Sequence, residues 1–150
     1  MPGLAAKDRI DEQVSVAELS SVDAVRPRLK ALGYEARPDI THDHVPANVI
    51  ENTGDWKKRF VTSGARNRPT NIHVRRLGAA NQRYALLFRD YLRAHSTSAA
   101  AYGELKRRLA SQLPDLLTYA EVKDPACDLI MIAAEDWARW QGWTPGPTDC

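Results

Sequence analysis

The chain has 150 residues, 43% apolar and 27% charged, with a formal net charge of +2. That length suits one domain with its own core, the balance carries no signature of disorder, and so small a charge does not by itself call for a nucleic acid or a membrane surface. No apolar run approaches the roughly 20 residues of a membrane span. The N-terminus lacks a secretory pattern, and Cys127 and Cys150 lack metal-ligand spacing, so the expectation is a cytoplasmic protein with reduced thiols.

In chain order, Ile10-Asp11-Glu12-Gln13-Val14-Ser15-Val16 alternates with period two and predicts a strand with the Ile10, Val14 and Val16 face buried. Ser20 and Ser21 offer N-capping oxygens for a helix bearing Val22, Val25, Leu29 and Leu32, which Gly33 terminates. Pro27 must lie in its first turn or kink it. From Ala36 to Gly54 the pattern dissolves into a long irregular connection, a kind of segment that is often functional. Strands are predicted around 58–62 and 70–75, joined by a hairpin-like turn over Gly64 to Pro69.

After Gly78 the sequence turns helical. One apolar stripe runs through Tyr84, Leu87, Phe88, Tyr91 and Leu92. A second holds Tyr102, Leu105, Leu109 and Leu113, with Ser96 or Ser98 as its cap. A third holds Leu129, Ile130, Ala133, Trp137 and Trp140, with Asp124 as cap and Pro125 at the first helical position. The segment from Gly142 is expected to be a frayed tail. Residues 1–143 thus make one α/β (α+β) domain with a helical C-terminal half, and 144–150 a flexible tail.

Several groups of residues are able to carry chemistry. Lys7, just before a strand that holds Asp11, suits a phosphate beside Mg²⁺. The plainer reading, a strand-end carboxylate near a solvated lysine, is favoured, because one carboxylate seldom makes a Mg²⁺ site. Lys57, Lys58, Arg59, Arg66, Arg68, Arg75 and Arg76 crowd twenty residues, with His73 among them. They either grip phosphate, including a nucleic-acid backbone, or coat an edge strand with charge. Arg89 and Arg93 lie one helical turn apart, where an Arg–Asp ion pair on a solvated face is the favoured reading. His42 and His44 stand with Asp39 and Asp43 in the irregular loop, a pattern read against zinc. There is no Walker loop, no G-x-G-x-x-G after a strand and no G-x-S-x-G elbow, which argues against a self-contained kinase, dehydrogenase or serine hydrolase.

Taken together, Pro2-Gly3-Leu4-Ala5-Ala6-Lys7, Ile10-Asp11, Leu32-Gly33-Tyr34, Ile72-His73-Val74 and Phe88-Arg89-Asp90-Tyr91-Leu92-Arg93 resemble the GrpB family. Tyr102, Leu105-Lys106 and Tyr119 to Lys123 continue the match. The family is similar to the nucleotidyltransferases and also occurs as a C-terminal extension of actinobacterial dephospho-CoA kinases. The resemblance implies a nucleotidyltransferase-like mixed sheet flanked by helices, with Asp11 as catalytic carboxylate and Mg²⁺ ligand. It implies an anion pocket of Lys7, His73, Arg89, Arg93, Lys106 and Lys123.

Two departures weaken transfer chemistry. Gln13 stands where a second carboxylate would be, and the Gly-Ser turn that usually precedes the Pro-Gly-Leu segment is expected to be missing. The expected function is therefore binding of a nucleotide or other phosphorylated small molecule, with weak or no nucleotidyltransferase activity. The alternatives are an accessory or folding-helper domain of a dephospho-CoA kinase and, less favoured, a nucleic-acid-binding module through residues 57–76.

Overall fold

In the computed structural model the residues described are 8–47, 49, 53–65, 67–113 and 115–146. Lys7, the Pro2-to-Lys7 block, Arg66 and Cys150 lie outside them. The elements, in order, are β1 (Ile10–Val16), α1 (Ser20–Ala31), β2 (Tyr34–Ala36), a 3-10 turn (Thr53–Trp56), β3 (Lys58–Ser63), β4 (Thr70–Arg76), α2 (Ala80–Ala94), α3 (Ser96–Gln112) and α4 (Leu116–Gln141). Two compact units divide within α2: a sheet unit, Lys7–Gln82, and a helical unit from Arg83 onward. The fold is mixed α/β, as the sequence predicts.

In the sheet unit the strand order is β1-β4-β3-β2. β1 runs parallel to β4, while β4, β3 and β2 are antiparallel neighbours. Because side chains alternate across a strand, these registers sort the residues onto two faces. Asp11, Gln13 and Ser15 stand beside Asn71, His73 and Arg75, and these beside Thr62, Phe60 and Lys58. The opposite face carries Val14, Val74 and Val61.

Three local expectations need correcting here. Val14 is 42% exposed, so the apolar face of β1 is only partly covered. Ser20 and Ser21 lie inside α1 rather than capping it; Leu19 is the N-cap, without a side-chain bond, and Ser21 Oγ instead donates to the Glu18 carbonyl at 2.7 Å. β2, Tyr34–Ala36, is not among the expected strands; three residues are too short to read by period, and it is held by antiparallel pairing with β3. Pro27 sits inside α1, and Gly33 ends that helix in the left-handed region at φ +83°, a conformation that favours glycine.

The helical unit packs Leu87, Tyr91 and Leu92 of α2 against Tyr102 of α3 and Cys127, Met131, Ala134 and Ala138 of α4. α4 begins nine residues earlier than the Asp124–Pro125 signal suggests. Asp115 supplies the cap: its carboxylate accepts from the Thr118 backbone N–H and from Thr118 Oγ1, both at 2.8 Å. Pro125 is therefore internal. It and Glu121, whose carbonyl loses a donor to the proline, are both exposed, where water can take that bond. α3 starts from His95 with no side-chain cap, so neither Ser96 nor Ser98 serves as one. Trp143 packs against this core, and Gly142, at φ +61°, turns the chain toward it. Among the described residues no helix is long and apolar enough to cross a membrane.

Candidate functional site

The polar face of the sheet unit converges on Asp43, from the irregular connection between β2 and the 3-10 turn. Lys58 and Arg75 are cross-strand partners, and two cations placed side by side repel unless a counter-charge lies between them. Asp43 provides it. Its Oδ1 accepts from Lys58 Nζ at 2.8 Å and Arg75 Nη2 at 3.0 Å, and its Oδ2 from Arg75 Nε at 2.8 Å. The guanidinium fork thus grips the carboxylate through both oxygens. Asn81 Nδ2 adds a bond to Oδ2 at 2.9 Å and another to the Lys57 carbonyl at 3.0 Å, tying the start of α2 to the loop. Gln13 Oε1 takes the remaining Arg75 Nη1 at 2.5 Å.

Burial sets the electrostatics. The Lys58 and Arg75 side chains are only 8% and 10% exposed and Asp43 15%. Burial alone would raise the Asp43 pKa, but the hydrogen bonds and charges around it win, and hold the carboxyl far below its usual range. Arg75 and Lys58 carry that effect, because His73 Nδ1 lies 3.8 Å from Asp43 Oδ1, too far for a hydrogen bond.

His73 is pushed the other way: burial, then the charges of Lys58 and Arg75, lower its pKa against the opposing pull of Asp43. Its Nδ1 lies 3.3 Å from Lys58 Nζ and 3.4 Å from Arg75 Nη2. Both groups can only donate, so Nδ1 must accept, and the imidazole is neutral with its proton on Nε2. Phe60 meets the ring edge to face at 4.9 Å.

Asp11, the expected Mg²⁺ ligand, lies further along the same face. It is exposed and accepts from Asn71 Nδ2 at 2.8 Å, while Asn71 Oδ1 takes Arg9. One carboxylate facing an amide N–H does not make a hard-oxygen shell for Mg²⁺. Among the described residues no group of three or more His, Cys, Asp or Glu side chains is placed to hold a metal ion. Asp43, grouped by sequence with His42 and His44, turns instead to the sheet, and Asp39 pairs with Arg37.

The other expected anion-pocket residues belong to the helical unit, in two clusters. Arg89 Nε donates to Asp90 Oδ1 at 2.7 Å, Arg93 approaches the same oxygen at 3.8 Å, and Trp143 Nε1 donates to Asp90 Oδ2 at 3.1 Å. Lys106 Nζ lies 5.6 Å over the Tyr102 ring, whose hydroxyl is 3.4 Å from Cys127 Sγ. Lys123 Nζ donates to Asp124 at 2.9 Å and stands 3.8 Å from that sulfur.

The basic segment 57–76 is likewise paired internally. Arg59 binds Asp23, Arg68 reaches Asp8, Arg76 binds Asp55, and Lys58 and Arg75 share Asp43. Five of the segment's cations are thus matched to four carboxylates, which balances part of its charge within the chain.

Sequence reasoning passed over Asp43 and Asn81 as site residues. The signal lay in the strand period: alternation over 58–62 and 70–75 puts Lys58, Phe60, His73 and Arg75 on one face, and two adjacent cations there require an acid from elsewhere.

The architecture defines a mixed α/β domain whose sheet carries one buried polar cluster, and known proteins share both sequence and fold with it. The model of the GrpB protein family matches residues 1–132, and the chain belongs to that family. It is 36% identical to a dephospho-CoA kinase of Mycolicibacterium paratuberculosis over 96% of this chain and 38% of that protein. It is 32% identical to the UPF0157 protein YqkA of Bacillus subtilis over 94% of this chain and 37% of that one. The chain therefore spans under two-fifths of the length of these relatives. The crystal structure of the conserved protein GrpB from Enterococcus faecalis superposes with a TM-score of 0.66 at 28% identity, over 91% of this chain and 76% of that one.

Proposed function

We propose that this GrpB-family domain binds a nucleotide or other phosphorylated small molecule on the polar face of its sheet, with little or no nucleotidyl transfer. The observation that carries the reading is the set of donors converging on Asp43. A guanidinium fork, an ammonium and an amide N–H, all fixed by burial, are the groups that recognise a phosphate. Asp43 holds the place of an anion from within, and a phosphate group would bind beside it or take its place. Neutral His73 adds a further N–H at Nε2. Transfer chemistry is disfavoured because Asp11 lacks a second carboxylate, so no step is assigned to a metal.

Calorimetric titration with ATP and with pyrophosphate, each with and without Mg²⁺, tests the reading. Saturable heat is expected without Mg²⁺, weakened about tenfold or more in R75M, since a bond to a charged group is worth about 1.5–3 kcal/mol. Absence of heat at millimolar ligand from the folded chain would remove it.

A second reading is favoured by the relatives themselves: 96% of this chain matches a segment of a protein named dephospho-CoA kinase. In it, the domain acts as an accessory or folding helper to such a kinase in the cytoplasm. Co-elution of purified chain and kinase on size-exclusion chromatography supports this, and separate elution at micromolar concentration counts against it.

A further inference from the structure

The sheet unit has a second concave site, on the face opposite Asp43. Arg59 binds Asp23 of α1, so Arg59 and Val61 face that helix, while their strand neighbour Lys58 faces Asp43. Between α1, β3 and the chain leaving β2 lies a cleft of about 310 Å³, at the small end of the range for ligand pockets. Its floor is apolar: Val22 and Val61 are 7% and 2% exposed, and Ala36 and Ile40 complete it.

Three arginines, Arg26, Arg37 and Arg59, line the cleft, with Asp23 as the sole acid among the lining residues. Two of the three are satisfied. Arg59 is held by Asp23 at 2.9 and 3.1 Å, and Arg37 by Asp39 at 2.7 and 3.1 Å. Arg26 makes no hydrogen bond or ion pair among the described residues, and its one electrostatic partner is Asp23, already engaged by Arg59.

We infer that this cleft binds a small acidic amphiphile, its apolar body on Val22, Ile40 and Val61 and its carboxylate or phosphate against Arg26. An apolar floor removes the body from water, and an open guanidinium fork suits an oxyanion better than an ammonium or a neutral hydroxyl. The inference is independent of the phosphate reading, because Arg26, Val22, Ile40 and Val61, which carry it, are not among the groups that bind Asp43.

The test is an NMR titration of the full chain with octanoate, octyl phosphate, octylamine and inorganic phosphate. Saturable shifts at Val22, Ala36 and Ile40 are expected with octanoate or octyl phosphate, whichever headgroup proves tighter. R26Q should weaken them about tenfold. Arg26 is exposed, so R26Q is expected to fold as the parent does, and amide spectra of the two check this. Octylamine binding as well as octanoate, inorganic phosphate binding as well as octyl phosphate, or full affinity in a folded R26Q would each overturn the inference. So would failure of both acids to saturate at millimolar concentration.

Discussion

His73 Nδ1 stands 3.3 Å from the ammonium of Lys58, a group that can only donate, so the imidazole is held as an acceptor. Protonating it would put a third positive charge beside Lys58 and Arg75, with only Asp43 to oppose them. The folded state therefore binds this proton less well than the unfolded chain does. The sign follows: stability is full above the unfolded histidine value near 6.5 and is lost as pH falls through the lowered folded value. Asp43, also lowered, adds a second loss that begins only below the ordinary carboxylate range near 4. Urea midpoints of the parent should thus decline in two stages, and H73N should abolish the upper stage while keeping the lower. An upper stage unchanged in H73N would refute the assignment.

Removing Asp43 should cost more than removing any exposed acid. D43A leaves Lys58 and Arg75 buried and adjacent without their counter-ion. Breaking one side of a buried ion pair typically costs about 3–5 kcal/mol. D43N keeps acceptor oxygen for Arg75 but not the charge, and should fall between D43A and the parent. D39A, which removes a carboxylate paired with exposed Arg37, should change stability by less than about 1 kcal/mol. Denaturant melts of the three variants give the comparison, and equal effects of D43A and D39A would show that the cluster is not under strong electrostatic constraint.

Much of the fold is legible in the sequence where local signals agree. Alternation bounded by Gly64, Pro69 and Gly78 places β3 and β4 to within a residue. α4 was hidden by a competing signal: Asp124-Pro125 imitates a helix start, while Asp115, only one residue ahead of the helix, provides the working cap. The candidate site was hidden by distance. Asp43 meets partners 15, 32 and 38 residues away, whereas local spacing groups it with His42 and His44. Arg89 and Arg93 lie on one helix as expected, and the favoured reading of their spacing, an Arg–Asp ion pair, is seen with Asp90.

The contact of Gly64 with Gly33 predicts a sharp intolerance. The Gly64 backbone N–H donates to the Gly33 carbonyl at 2.6 Å, and a Cβ on Gly64 would fall 2.8 Å from that oxygen. The obstacle is backbone, which cannot swing aside as a side chain does. G64A should cost about 1–3 kcal/mol through the forced shift. At Gly33 the cost has a different origin: a Cβ there meets only the amide of Asn67 at 3.2 Å, but φ is +83°, so G33A pays for a left-handed backbone, about 1–2 kcal/mol. G33N should recover part of that loss, because asparagine enters this region more readily, and G64N should not. Thermal melts of the four variants decide between steric and conformational causes.

The two sides of α4 should respond oppositely to truncation. Of the stripe Leu129, Ile130, Ala133, Trp137 and Trp140, Ile130 and Trp137 pack against the core as expected, whereas Leu129 is 70% and Trp140 87% exposed. The most deeply buried positions are Cys127, Met131, Ala134 and Ala138, in one cluster with the rings of Tyr91 and Tyr102. M131A removes side-chain volume from that cluster, where Met131 is 6% exposed, and should cost about 2–5 kcal/mol. L129A and W140A remove an apolar group as large or larger from water-facing positions and should stay within about 0.5 kcal/mol of the parent. Urea denaturation followed by circular dichroism at 222 nm measures all three. A loss above about 2 kcal/mol in L129A or W140A at low protein concentration would mean that these positions are buried in solution, and would reverse the assignment of the two faces.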